Sequence, residues 1–178
     1  MKKTIAVMIC LLLFGCSHVP LGSMLKLSAF DENSFLSLNP HELRSRIEVD
    51  SPLKIDVHKT NLSLKLDSSS GDLLFDYPLK LLFVKDLPAE AHWLSPIPAR
   101  TQYVLALSDE AIDNFTALQA RMRVEQPKRY HLTIDTGFQN GAEEQSEAVL
   151  SVSIKLSAET DYITLLDRVS IDVKEEQL

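Results

Sequence analysis

The stretch from Leu73 to Lys85, LLFDYPLKLLFVK, decides the fold because apolar side chains recur in it at every second position. The apolar residues of one parity are Leu73, Phe75, Tyr77, Leu79, Leu81 and Phe83. A period of two places successive side chains on opposite faces of a β-strand, so this stretch predicts a long strand. Pro78 falls on the other parity and cannot donate a hydrogen bond to a sheet, which predicts an edge position or a bulge there.

The same alternation recurs on both sides of this stretch and predicts about nine strands in all. The other alternating stretches lie at 25–29, 46–49, 53–57, 62–66, 103–107, 130–134, 150–157 and 163–173. We expect a hairpin loop at 58–61 (HKTN), a break at 68–72 (SSSGD), and a short turn at Asn39 and Pro40. Asp167 lies on the apolar parity of the last stretch, and we favour a β-bulge there over an inward carboxylate.

One segment, 108–123, has helical rather than strand periodicity. Ser108 is a suitable N-cap, and acidic residues follow it where the positive end of the helix dipole favours them. The apolar stripe consists of Ala111, Ile112, Phe115, Leu118 and Met122. We expect this stripe to pack on the parent sheet rather than on a partner.

These patterns predict a mainly β protein: an antiparallel β-sandwich of about seven to nine strands with one covering helix. An α+β layer, with the helix across one sheet face, is the alternative. The chain has 178 residues, which suits a single domain, and we assign that domain to residues 24–178.

The N-terminus has the layout of a secretory signal: Lys2 and Lys3 precede a short apolar run from Ile5 to Phe14. That run is about half of the roughly 20 residues that a membrane-spanning helix needs. Leu13-Phe14-Gly15-Cys16 resembles the lipobox of bacterial lipoproteins. The resemblance implies a signal peptide at 1–15, cleavage before Cys16 and attachment of diacylglycerol and palmitate to Cys16. It also implies that Ser17 directs the protein to the outer membrane.

The alternative is a secreted protein with an incidental Cys16, cleaved elsewhere, for instance near Ser23. On the lipoprotein interpretation, residues 16–23 form a lipidated tether that reaches at most about 28 Å, so the domain stays close to the membrane at its periplasmic face. Three short motifs at 24–27, 38–44 and 107–110 resemble uncharacterised bacterial lipoproteins, and that resemblance implies no activity.

Composition narrows the function classes. The net charge is -7, and without the signal peptide it becomes -9, which argues against binding to nucleic acid. Both cysteines, Cys10 and Cys16, are accounted for by export and lipidation, so the mature chain has no thiol for a disulfide or for catalysis.

No motif for catalysis or metal binding is present. HELR at 41–44 has Ser45 where a zinc protease motif needs its second histidine, and the five histidines are dispersed. The acidic residues Glu143, Glu144 and Glu147 lack the alternating spacing that calcium needs, which favours a solvated loop. We therefore expect no enzyme activity, no cofactor and no metal.

The connection from Asp86 to Arg100, DLPAEAHWLSPIPAR, is long for a compact domain, and such connections are often binding loops. We take Trp93, Leu94 and Ile97 as its candidate contact residues, because aromatic anchors on a proline-stiffened loop suit a partner. The alternative is that Trp93 folds back and plugs the end of the sandwich.

Two functions are consistent with these features. The first is a non-catalytic interaction or envelope-assembly accessory module, which binds an envelope protein through a sheet edge or the 86–100 connection. The second is a carrier or sensor of lipids or other amphiphiles, with an apolar cavity between its strands.

Overall fold

The computed structural model describes residues 32–68, 71–91, 96–125, 129–139 and 145–173. The helices in these residues are α1 (Glu32–Ser37) and α2 (Asp109–Glu125). The strands are β1 (Arg44–Asp50), β2 (Ile55–Ser68), β3 (Gly71–Leu87), β4 (Arg100–Leu107), β5 (Arg129–Phe138), β6 (Glu147–Lys155) and β7 (Ile163–Asp172).

The seven strands of the described residues form one antiparallel sheet in the order β5-β2-β3-β4-β1-β6-β7, curled into a half-barrel. The prediction of a mainly β, antiparallel fold with seven to nine strands and a covering helix is confirmed. The two layers expected of a sandwich are continuous, because β3 is long enough to belong to both. Its first part pairs with β2 and its second part pairs with β4.

The core lies between the inner face of this sheet and α2. Ser108 caps α2 as predicted, since its Oγ accepts a hydrogen bond of 3.1 Å from the Ala111 N–H. Phe115 is fully buried, and its ring centroid lies 5.2 Å from those of both Phe35 and Tyr77. The predicted helical stripe therefore packs on the parent sheet.

Helix α1 has no counterpart in the sequence predictions. It packs on α2 and β5 and brings Phe35 into the core with no exposed surface. The side chain of Gln119 fixes its C-terminal end by donating hydrogen bonds of 2.9 Å to the carbonyl oxygens of Phe35 and Leu38. The predicted turn at Asn39 is present, and its Oδ1 accepts a hydrogen bond from the His41 N–H.

The hairpin loop predicted at 58–61 is wrong, because these residues lie inside the continuous strand β2. An irregularity between Asp56 and Asn61 accommodates the extra residues against β5. The hydroxyl of Thr60 stabilises it with hydrogen bonds to the Asp56 carbonyl (2.9 Å) and to the Thr136 hydroxyl (2.8 Å). The polar residues that predicted a turn at 58–61 therefore form a β-bulge within β2.

The bulge predicted at Asp167 is confirmed. The register of β6 and β7 shifts between Leu150 and Val152, Asp167 is exposed, and Arg168 has a φ of 48°. The Arg168 guanidinium donates to both carboxylate oxygens of Asp50, at 3.1 and 2.8 Å.

The predicted strand at 25–29, the proposed signal and tether at 1–23, and part of the acidic cluster lie outside the described residues. Within the described ranges, no helix is long and apolar enough to cross a membrane.

Candidate interaction surface

Four consecutive apolar residues in the second part of β3 are exposed, although large apolar side chains of this kind are usually buried in the core. The exposed fractions are 41% for Leu81, 46% for Leu82, 51% for Phe83 and 47% for Val84. We call Leu81–Val84 the apolar run. Singly exposed hydrophobic residues are common on protein surfaces, whereas a contiguous group of large ones is typical of an interaction site.

The apolar run is exposed because β3 changes its partner strand at Pro78. The pairing of β2 with β3 ends at Asn61 opposite Pro78, and the pairing with β4 begins at Leu79 opposite Leu107. Pro78 has no N–H to donate, but its carbonyl accepts a hydrogen bond of 3.0 Å from the Ser108 N–H. Pro78 thus marks the point where β3 changes its partner strand, and the register shift of β3 against β4 lies further along, between Leu81 and Phe83.

Beyond Pro78, β3 therefore has β4 on one side and, among the described residues, no paired strand on the other. An unpaired strand edge presents backbone N–H and C=O groups that can hydrogen-bond an additional strand. The apolar run thus combines exposed side chains with an open backbone edge.

A bulge within the apolar run exposes apolar side chains on both faces of the strand. The register against β4 shifts between Leu81 and Phe83, so Leu81 lies opposite Leu105 and Phe83 lies opposite Val104. Side chains on both faces of the strand are about half exposed.

The connection that follows β3 is anchored at its base. Arg100 donates to Glu48 Oε2 at 2.9 Å and to Glu90 Oε1 at 2.7 Å, and Gln102 donates to Glu48 Oε1 at 2.7 Å. The hydrogen bond to Glu90 raises the pKa of the Arg100 guanidinium above its ordinary value, so the group stays protonated and positively charged. Thr101 also donates to Asp86 at 3.1 Å.

The connection is shorter than the Asp86–Arg100 stretch that the sequence predicts. Strand β3 continues to Leu87, and Glu90 and Ile97 form a β-bridge through reciprocal hydrogen bonds of 2.8 and 2.9 Å. Ile97 is half-buried at this bridge. Trp93 and Leu94, the other candidate contact residues, lie outside the described residues, as do Cys16 and Ser17.

The apolar run was not predicted as a surface, because Leu81 and Phe83 share the apolar parity of the buried Tyr77 and Leu79. A signal was present, since the alternation breaks down at Leu81–Val84 into four apolar residues in succession. An unbroken apolar run is consistent with a strand covered on both faces, and here the cover is absent from the described residues.

A second feature is an open cleft of about 410 Å³ between the two ends of the curled sheet. Its apolar lining comes from Ile134 of β5, from Leu150 and Val152 of β6, and from Leu166 and Ile171 of β7. Lys59, Asp135 and Thr136 add polar groups.

Within the described part of the chain, no group of three or more His, Cys, Asp or Glu side chains is placed to hold a metal ion. Comparison with protein-family models, with curated proteins and with solved structures finds no match to this chain.

Proposed function

We propose that this protein is an outer-membrane-anchored periplasmic lipoprotein that acts as a non-catalytic interaction or envelope-assembly accessory module. The observation that supports the proposal best is the apolar run on an unpaired strand edge. Its partner is an extended segment of another envelope protein that adds a strand beside Leu79–Leu87 and covers the side chains of Leu81–Val84.

Strand addition suits this surface for two physical reasons. Backbone hydrogen bonds to an open edge supply affinity, and alternate side chains supply specificity. Covering a half-exposed Leu, Phe or Val side chain contributes roughly 1 kcal/mol, so covering all four adds roughly 4 kcal/mol to the contribution of the backbone hydrogen bonds. The Arg100 network and the Glu90–Ile97 bridge fix the base of the adjoining connection, which lowers the conformational entropy lost on binding at this base.

The chain supplies a matched pair of variants to test this surface. Phe83→Asp places a charge in the apolar run, and Leu74→Asp places the same charge on the same strand, in its paired part, where Leu74 is 66% exposed. Envelope proteins cross-linked to the full-length protein in its native membrane are identified by mass spectrometry, and the strongest candidate is then purified for binding measurements. We expect Phe83→Asp to weaken that binding at least about tenfold, which corresponds to 1.4 kcal/mol, and Leu74→Asp to leave it unchanged.

Equal binding by both variants and the unmodified protein would place the partner elsewhere and refute the assignment of the apolar run. Circular dichroism of both variants checks that each retains its strand content, so that a lost interaction is not mistaken for a lost fold.

The membrane anchor is tested separately. Lys2, Lys3, the short apolar run and the Leu-Phe-Gly-Cys sequence support acylation of Cys16. Several acyl chains on one cysteine hold a protein firmly on a membrane, since each buried methylene contributes about 0.8 kcal/mol. Metabolic labelling with palmitate is expected to mark the protein and to be lost in Cys16→Ala. Label that survives this substitution would contradict the lipoprotein assignment.

Transport or sensing of amphiphiles is the second candidate function, and the open cleft is the observation that favours it. Its volume of about 410 Å³ and its aliphatic lining fall within the range of small-ligand sites. Native mass spectrometry of the domain from Ser23 onward distinguishes the two functions. A co-purified lipid supports the carrier, whereas a ligand-free mass together with a cross-linked envelope partner supports the interaction module.

A further inference from the structure

The open cleft between the two ends of the curled sheet has a mainly aliphatic lining. Leu150 and Val152 of β6 are buried, with exposed fractions of 4% and 3%. Ile134 of β5 and Leu166 and Ile171 of β7 are half-buried. Because β5 and β7 are the end strands of the sheet, no further strand of the described residues closes this opening. The cleft can therefore accept the hydrocarbon part of a ligand.

Three polar side chains also line the cleft, and two of them have partners within the protein. The Asp135 carboxylate accepts a hydrogen bond of 2.5 Å from the Ser63 hydroxyl. The Thr136 hydroxyl shares a hydrogen bond of 2.8 Å with the Thr60 hydroxyl. The third is Lys59, whose ammonium makes no hydrogen bond or ion pair with any other described residue. Lys59 thus gives the cleft a cation that the described residues leave without a counter-ion.

The position of Lys59 is set by the bulge in β2 and by a glycine in β5. Lys59 lies between Asp56 and Asn61, where the register of β2 against β5 shifts. A Cβ atom at Gly137 would lie 3.1 Å from Lys59 Cδ and 3.2 Å from Lys59 Cβ, which is tighter than ordinary contact. The glycine therefore allows the aliphatic stem of Lys59 to lie against β5, while the side chain as a whole stays exposed.

An aliphatic lining with one such cation suits a ligand that has a hydrocarbon chain and a negative charge at one end. The volume of about 410 Å³ lies toward the small end of the range for ligand sites, which favours one chain over the two chains of a phospholipid. One ammonium matches the single charge of a carboxylate, whereas a phosphate monoester carries about −1.5 to −2 at neutral pH. A fatty acid meets both requirements.

We propose that the open cleft binds a fatty acid, with the hydrocarbon chain against the aliphatic lining and the carboxylate at Lys59. This inference rests on the second candidate function, because it names the ligand class of a carrier or sensor. It depends neither on the apolar run nor on the acylation of Cys16. An exposed ion pair contributes little to affinity, so the chain supplies most of the binding and Lys59 supplies the preference for a negative head group.

Photo-labelling of the full-length protein, kept in solution by amphipol without detergent, tests this ligand class. The probe is palmitate with a diazirine in its chain, and mass spectrometry identifies the labelled peptides. We expect the label on the peptides of β5, β6 and β7 that line the cleft. Unlabelled palmitate then competes with the probe, and so does hexadecanol, which has the same chain length and no charge.

Lys59→Glu is expected to weaken competition by palmitate at least about fivefold and to leave competition by hexadecanol unchanged. The matched control is Lys85→Glu, the same charge change at an exposed lysine that does not line the cleft, and it should alter neither. Circular dichroism checks that both variants keep their strand content.

The outcomes separate this inference from the function on which it rests. Palmitate that labels the cleft equally well in Lys59→Glu would overturn the role of Lys59 and the preference for an anion, and would leave the carrier function standing. Label found only outside the cleft, or label that neither palmitate nor hexadecanol displaces, would overturn both the fatty-acid site and the carrier function.

Discussion

The two parts of β3 have similar sequences and opposite surroundings. In the first part, Tyr77 is 2% exposed, packs on Phe115 of α2, and lies in a strand paired with β2. In the second part, Phe83 is about half exposed in a strand paired only with β4 among the described residues. Both are aromatic residues of one continuous strand, and they lie six positions apart.

Burial in this protein is therefore decided by what covers a strand rather than by the strand's own apolar pattern. Helix α2 and strand β2 both contact the first part, whereas the apolar run in the second part remains about half exposed. An apolar pattern that continues past its cover within the molecule is consistent with a cover supplied by another molecule, which is the basis of the proposed function.

The largest expected effect on stability comes from removing a side chain of α2 that covers the first part of β3. Phe115→Ala removes a fully buried ring that contacts both Phe35 and Tyr77, and we expect it to lower the free energy of unfolding by about 3–5 kcal/mol. Urea unfolding followed by circular dichroism measures this change. A loss below about 1 kcal/mol would show that α2 is not an essential part of the core.

A smaller effect of opposite sign is expected at Tyr77. Its hydroxyl is buried and has no hydrogen-bond partner among the described residues, and burial raises the pKa of this phenol above its ordinary value. Tyr77→Phe removes the buried polar atom and keeps the ring, so we expect the free energy of unfolding to rise by about 1 kcal/mol. A decrease would reveal a hydrogen bond to this hydroxyl from another part of the chain.

For the second part of β3 we expect almost no effect on the stability of the isolated protein. Phe83→Ala truncates a half-exposed ring, and the change in the free energy of unfolding should stay within about 0.5 kcal/mol. The same urea titration measures it beside Phe115→Ala. A loss comparable with that of Phe115→Ala would mean that the apolar run belongs to the core of this molecule.

The smallest effect concerns the contact that joins the two regions. Lys80, near the start of the second part, donates to Asp109 of α2 at 2.6 Å, and this hydrogen bond lowers the pKa of the Asp109 carboxyl below its ordinary value. A lowered pKa in the folded state contributes stability above pH 3.8, and that contribution is lost as the pH falls through the folded-state pKa. We expect Asp109→Asn to lower Tm slightly at neutral pH and to match the unmodified protein in strong acid.

Glu110→Gln is the matched control, because Glu110 shares the first turn of α2 and therefore the helix dipole. If both variants follow the same pH profile, the dipole rather than Lys80 accounts for the effect.

Much of this fold follows from local rules that can be applied to the sequence. A period of two identifies the long strand at Leu73–Lys85, Ser108 marks the start of α2, and Asp167 indicates the bulge in β7. Each of these features depends on neighbours in the sequence. Local steric and hydrogen-bonding preferences are therefore sufficient to predict them.

The features that were missed depend on contacts between distant residues. The continuity of β2 through 58–61 relies on the hydrogen bond between Thr60 and Thr136, and the exposure of the apolar run relies on β2 leaving β3 at Pro78. Helix α1 is held by Gln119, more than 80 residues away along the chain. No local pattern specifies such pairings, so the candidate surface became visible only in the folded structure.

Site-specific photo-cross-linking in the native envelope tests the central claim most directly. A photoreactive phenylalanine analogue replaces Phe83 in one form of the full-length protein and Leu74 in another, and the products are compared after illumination. The account predicts a discrete cross-linked envelope protein from position 83 and none from position 74. Cross-linking to the same protein from both positions, or from neither, would contradict the assignment of Leu81–Val84 as the docking surface.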